Sequence, residues 1–307
     1  MNSMYNFLFL NKLRHFLASM ASSFKSWEVH VLERQIPSLL IRSKPQSLPE
    51  MPVEVHMLVG ARTWLMALWA ARSYQWSTGF LWHFVFQDDG TLTQRQIEGL
   101  NNLFPLCVVK PRSTADVEME NLIEKWPSCL KARQKHIMFM KMFDPLFYSE
   151  ADRFILLDSD VLFFAPPQEI LDWSVGERPR FLFNSDQNNS YSIPKNWLEI
   201  HFGVKILDRV NAGLALIPRA GVNLDMVEEY LVRFEKQSVH DLWLEQTAYA
   251  LLASKWGGGA ALLPDTYEIS FGAERQKGCV ARHYVGTHDS RPHFFREGVI
   301  TLARELL

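Results

Sequence analysis

The sequence predicts an α/β fold: a mainly parallel sheet flanked by helices. Three observations carry that expectation. The chain has 307 residues of which 48% are hydrophobic, enough for one large core. From Val53 onward, short apolar runs alternate with stretches whose apolar residues recur at helical spacing. The run Phe154–Leu157 is apolar at every position, as a strand buried on both faces requires.

The elements follow in order. Val53–Val59 reads as a compact strand ending at Gly60, and Ala61–Tyr74 carries a helical pattern. Phe80–Phe86 is a second strand, closed by Asp88-Asp89-Gly90. Thr93 with Gln96 is a capping-box signature for the helix that follows. Leu106–Lys110 is a third strand, and two helical stretches fill Ala115–Phe147. Phe154–Leu157 is the fourth strand, with further strands at Phe181–Phe183, Leu214–Ile217 and Val280–Val285.

Residues 1–52 read differently from 53–307. Leu10, Leu13, Leu17, Met20 and Phe24 fall on one helical face, accompanied by Lys12, Arg14 and Lys25. Such a helix suits an anionic membrane surface, its own domain or a second copy in a homodimer. Pro37, Pro45, Pro49 and Pro52 mark a stiff connector behind it. The formal net charge of -2 gives no support to nucleic acid as a partner. Three widely spaced cysteines form neither a disulfide framework nor a zinc pattern, which points to the cytoplasm, free or peripheral at the inner face of a membrane. No apolar run approaches the roughly 20 residues that span a bilayer. Aromatic residues make up 13% of the chain, which a large core accounts for ahead of sugar-binding platforms.

The candidate chemistry begins where the fourth strand ends, at Asp158-Ser159-Asp160. Open α/β sheets bind ligands at the carboxyl ends of their strands. Two ionised carboxylates there need a cation, donors or water. If the strand bends into a turn, both can converge on Mn2+ or Mg2+ and so bridge a diphosphate. The alternative is an acidic pair that caps the turn. Further along stand Asn211-Ala212-Gly213 before a strand, Glu245-Gln246 on a helical stretch, and His283 with Gly286 after another strand. His283 could complete a metal shell with its imidazole.

In this order, over about residues 53–300, these segments resemble the retaining, glycogenin-like glycosyltransferases of family 8, which have a GT-A-type, Rossmann-like fold. The resemblance implies a nucleotide-sugar donor, of the UDP-hexose kind, and a saccharide, lipid-linked or peptide acceptor. It assigns Asp158, Asp160 and His283 to the metal, and Asn211, Ala212, Gly213 and Gly286 to the donor. Gln246 would lie near the anomeric centre, with Glu245 and Asp186 as further catalytic candidates. Lys141 stands 17 positions before Asp158, where the family usually has arginine, and as a cation would reach a phosphate or sugar hydroxyl of the donor; an exposed helix lysine is the other reading. Asp186 also fits a turn, in Asn184-Ser185-Asp186. Three departures stand out: Glu245 replaces the usual aspartate, the family's basic-Pro-aromatic element is displaced to Arg291-Pro292-His293-Phe294, and residues 1–52 have no counterpart.

Retention follows from the resemblance. Gln246 is a poor nucleophile, so front-face substitution is expected, with the leaving phosphate taking the acceptor's proton. Inversion would need a carboxylate base, for which Glu245 and Asp186 are the candidates. Two other functions fit parts of the sequence. One is a phosphohydrolase of the haloacid-dehalogenase type with Asp158 as nucleophile; the other is a non-catalytic nucleotide-sugar-binding protein. A dehalogenase-like look-alike at Gln87-Asp88-Asp89-Gly90 lacks the nucleophilic aspartate.

Overall fold

The computed structural model describes residues 48–235, 242–286 and 290–306, so the amphipathic N-terminal segment lies outside it. Seven strands form the main sheet: β1 (Glu50–Val59), β2 (Leu81–Asp88), β3 (Val108–Lys110), β4 (Arg153–Leu157), β6 (Phe181–Ser185), β7 (Val210–Pro218) and β8 (Ala260–Leu262). Their order is β3-β2-β1-β4-β7-β6-β8. Strand β7 runs antiparallel to β4 and β6, while the other pairings are parallel. A smaller sheet, in the order β5-β10-β9, joins β5 (Val161–Phe163), β9 (Tyr267–Ile269) and β10 (Ala281–His283).

Alternation along the central strands divides the interior into two cores. Ile155 and Leu157 of β4, with Leu214 and Leu216 of β7, pack on one face against helix α1 (Trp64–Thr78). Phe154, Leu156, Ala215 and Ile217 pack on the other face. That second core is covered by α4 (Pro127–Lys135), α5 (Phe139–Tyr148), α7 (Lys195–Phe202), α8 (Leu224–Phe234) and α9 (Leu244–Lys255). Residues 244–253 of α9 are all buried, which fits a helix apolar on nearly every side. The remaining helices are α2 (Gln94–Leu103), α3 (Arg112–Leu122), α6 (Gln168–Val175), α10 (Arg291–His293) and α11 (Ile300–Leu306). Among the described residues, no helix is long and apolar enough to cross a membrane.

The expected elements are present with shifted bounds. Thr93 caps α2 as expected: its hydroxyl accepts the Gln96 amide at 3.3 Å, and the Gln96 side chain accepts the Thr93 amide at 3.0 Å. Strand β1 begins at Glu50, so Pro52 lies inside it; the pairing with β2 shifts register between Met51 and Glu54, and such a bulge tolerates a residue without an amide hydrogen. Three helices rather than two fill the region before β4, because Pro127 cannot extend α3 and instead starts α4. The three-residue strands β5, β8 and β9 carry no readable periodicity, and the last expected strand contracts to Ala281–His283.

A buried ion pair ties α4 to α5. Arg133 donates from Nε and Nη2 to the two Asp144 oxygens at 2.6 and 2.9 Å, and the two side chains are 2% and 0% exposed. Arg133→Ala would leave Asp144 buried without its cation and is expected to cost about 3 to 5 kcal/mol in urea unfolding.

Candidate active site

The end of β4 is turned by two backbone hydrogen bonds. The Asp158 amide donates to the Gly213 carbonyl at 2.7 Å, and the Val161 amide donates back to the Asp158 carbonyl at 3.2 Å. This turn takes the chain out of the large sheet and into β5. There Val161 pairs with His283 of β10, and the Tyr284 amide donates to the Asp160 carbonyl at 2.8 Å. The small sheet thereby delivers an imidazole to the acidic pair. One ligand atom from each of Asp158, Asp160 and His283 lies within 4.8 Å of the others.

The imidazole is held from both sides. His283 Nε2 lies 3.1 Å from Asp160 Oδ1 and 4.0 Å from Asp158 Oδ2. Its Nδ1 donates to Asn211 Oδ1 at 3.1 Å, and that same oxygen accepts the Gly213 amide at 3.0 Å. An acceptor on Nδ1 leaves Nε2 facing the carboxylates, the tautomer a metal ligand needs. Glycine at 213 is a packing requirement: a Cβ there would sit 2.1 Å from His283 Cε1.

Two further cations reach the acids. Lys141 of α5 is 3% exposed and donates to Asp158 Oδ1 at 2.7 Å, so the exposed-lysine reading does not hold. Arg291 of α10 donates to Asp160 Oδ2 at 2.6 Å, so the displaced Arg-Pro element still reaches the site. Burial opposes charge on Asp160, yet His283 and Arg291 outweigh it and hold its carboxyl below the ordinary range. Burial likewise opposes charge on Lys141 and His283, and the neighbouring carboxylates raise both above their ordinary values.

Beside these groups lies a cavity of about 360 Å3, bounded by Lys141, Asp158, Asn211–Gly213 and His283 on one side and the start of α9 on the other. Glu245, in the first turn of α9, is buried, and its Oε1 has no hydrogen-bond partner among the described residues. Burial pushes its carboxyl up to about 7; Lys141 opposes the rise and Asp158 adds to it. Gln246 is tied at both ends to backbone. Its Oε1 accepts the Ala212 amide at 3.2 Å, and its Nε2 donates to the Ser190 carbonyl at 2.8 Å.

The fold therefore gathers Asp158, Asp160, His283, Lys141, Asn211, Ala212, Gly213, Glu245, Gln246 and Arg291 around one centre. Asp186 stands further out and meets it through the Asn211 side-chain amide, at 3.4 Å. Gly286 lies outside the cavity lining, exposed, at a φ of 82° that favours glycine. Sequence reasoning missed Lys135, His136, Ile137, Met138, Leu242 and Trp243, which also line the cavity. Mixed residues just before two helix starts gave no pattern to find them by.

No protein-family model matches the sequence, and no curated protein matches it. Solved structures do. Mouse xyloside xylosyltransferase 1, in its apo form, superposes with a TM-score of 0.55 at 9% identity, over 78% of this chain and 98% of that one. The galactosyltransferase LgtC, in complex with donor and acceptor sugar analogues, gives 0.54 at 16% identity, over 82% and 96%. The bifunctional glycosyltransferase WbbM gives 0.55 at 11% identity, over 86% of this chain and 52% of that one. At such identities the likeness shows the fold, and the fold is that of the GT-A glycosyltransferases.

Two variants test this geometry. Gly213→Ala is expected to push His283 off the acidic pair and weaken divalent-cation binding at least tenfold by calorimetry, since one of the three candidate ligands is lost. Glu245→Gln tests the buried carboxyl. Folding raises the Glu245 pKa from 4.5 to about 7, so the stability this group favours is present below pH 4.5 and is lost as pH rises to 7. Melting curves of variant and wild type should agree at low pH. The variant should become the more stable form above pH 7, by something on the order of 3 kcal/mol.

Proposed function

We propose that the protein is a metal-dependent glycosyltransferase that moves a sugar from a nucleotide-sugar to an acceptor hydroxyl. The observation that carries this reading is the convergence of Asp158, Asp160 and His283 at the carboxyl end of β4, with ligand atoms within 4.8 Å of one another. Two carboxylate oxygens and one imidazole nitrogen suit Mn2+ or Mg2+, and the tautomer set by Asn211 directs Nε2 toward them. Fold likeness to glycosyltransferases is in keeping with this reading. A UDP-hexose as donor rests on the sequence resemblance.

When bound, the cation would neutralise charge developing on the diphosphate leaving group. The chain's own residues do the rest. Lys141 keeps its charge in a buried setting and stands ready for a phosphate or sugar hydroxyl. Glu245, with an unpartnered oxygen on the cavity side of α9, is the acceptor for a donor-sugar hydroxyl. Gln246 fixes the Ala212 amide and has no free end with which to attack. Retention then proceeds on one face: the bond from the anomeric carbon to the phosphate oxygen breaks as the acceptor oxygen bonds to that carbon. The acceptor's proton passes to the departing phosphate. A second reading, inversion with Glu245 as base, is favoured by its pKa of about 7 and is distinguished by the product's anomeric configuration in proton NMR.

The phosphohydrolase reading leaves Asn211-Ala212-Gly213 and Glu245-Gln246, which line the same cavity as Asp158, without a role. Trapping of a phosphoaspartate at Asp158 would revive it. The test is a calorimetric and turnover screen against UDP-, GDP- and dTDP-sugars with and without Mn2+. One UDP-sugar is expected to bind only with metal, and Asp160→Asn to weaken that binding by at least a hundredfold. No metal-dependent binding across the panel would refute the assignment.

A further inference from the structure

Three oxygens of the acidic pair are each held by a nitrogen. Lys141 Nζ donates to Asp158 Oδ1 at 2.7 Å, His283 Nε2 stands 3.1 Å from Asp160 Oδ1, and Arg291 Nη2 donates to Asp160 Oδ2 at 2.6 Å. The cavity reaches Asp158 and His283, whereas Asp160 is 5% exposed and does not line it. An ion entering by the cavity meets Asp158 and His283 directly. At Asp160 it meets a carboxylate that a guanidinium has already paired.

Charge sets the terms. With the imidazole neutral, as a ligand must be, two aspartates and two resident cations cancel. Glu245, whose carboxyl burial pushes up to about 7, adds part of a further negative charge near neutral pH. A divalent ion added to these groups leaves positive charge without compensation in a buried site, which is costly. The diphosphate of a nucleotide-sugar is negative and restores the balance. Without it, one resident cation has to withdraw. Lys141 is 3% exposed, and off Asp158 its ammonium is left buried without that partner. Arg291 is 36% exposed, so its guanidinium can turn into water. Among the described residues one hydrogen bond holds that guanidinium, since Nε has no partner. The chain beside it is fastened: the Ser290 hydroxyl donates to the Val285 carbonyl at 2.7 Å, and Glu297 accepts from Tyr284 and, at 3.3 Å, from Arg282. What moves is one side chain.

We propose that Arg291 is a tethered cation that competes with the divalent metal for Asp160, so that the metal binds firmly only together with the donor's diphosphate. This rests on the metal-dependent glycosyltransferase reading and adds to it what keeps the site closed to metal alone. By linkage, the nucleotide gains from the metal the same factor that the metal gains from the nucleotide.

The experiment uses the full chain at one neutral pH and one ionic strength. Free Mn2+ is counted by electron paramagnetic resonance as wild type, Arg291→Gln and Arg291→Lys are titrated, first with Mn2+ alone and then with the nucleotide-sugar found in the screen above. Arg291→Gln is expected to bind Mn2+ alone about fivefold tighter or more, the lower end of ordinary coupling between sites. The gain in Mn2+ affinity on adding nucleotide should shrink in that variant by about fivefold or more. Arg291→Lys keeps the charge and should stay close to wild type on both counts. Circular dichroism checks that each variant is folded, and Arg291→Met takes the place of Arg291→Gln if the latter is not.

Equal or weaker binding of Mn2+ alone by Arg291→Gln overturns the proposal, as does a gain from nucleotide that stays unchanged in that variant. So does an Arg291→Lys protein that follows Arg291→Gln, because the effect would then lie in shape and not in charge. Wild-type binding of nucleotide with Mn2+ in the same samples separates the two claims. If it is firm while Arg291→Gln matches wild type, the competition falls alone; if no form binds Mn2+ even with nucleotide, the competition falls with the metal-dependent reading.

Discussion

Three carboxylates, Asp158, Asp160 and Glu245, gather where β4 leaves the sheet, and their negative charge is the constraint the neighbouring structure answers. Ionised carboxylates taken out of water are costly unless cations or donors meet them. Asp158 receives Lys141, and Asp160 receives His283 and Arg291. Glu245 is left with one oxygen unpartnered among the described residues, and burial raises its affinity for a proton. The charge is therefore balanced at two acids and held in suspense at the third. The ligand atoms of the pair and His283 still lie within 4.8 Å of one another, and a divalent cation there would take the place of protons and ion pairs that now hold the acids.

Each balancing group arrives on a different element. Lys141 comes from α5, which Arg133 and Asp144 fasten to α4. His283 comes from β10, brought in by its pairing with β5 immediately after Asp160. Arg291 comes from the short helix α10 near the chain's end. The approach of β10 to β7 depends on a missing side chain, because only Gly213 leaves room for the imidazole. Backbone, packing and charge thus converge on the same few ångströms.

How much of this was legible in the sequence followed from the range of the interactions. The apolar run before Asp158 and the Thr93–Gln96 capping box are local patterns, and they told the fold class and several element starts truly. The acidic pair, Asn211-Ala212-Gly213, Glu245-Gln246 and His283 were found because each is a short signature in a fixed order. Long-range facts were hidden. Nothing local could say whether Lys141 is solvated or buried, since its partner lies 17 residues away. Nor could the spacing of Arg291-Pro292 reveal that Arg291 reaches Asp160 across 131 positions. The strands β5, β8 and β9 escaped notice because three residues cannot display a period.

The reversed strand has a consequence of another kind. Strand β6 runs parallel to β4 in the sheet, so both finish at the same edge, and β7, running the other way, starts there. The whole connection from Asp186 to Arg209, with α7 inside it, therefore leaves and re-enters the sheet on the ligand's side. Tyr191, Ile193, Leu198 and Phe202 pin that connection to the second core, whereas its exposed positions, Gln187–Asn189 among them, accept replacement far more readily. In a lineage built on this architecture, those exposed positions are where new substrate preferences can be tried while the sheet and the acidic pair stay untouched.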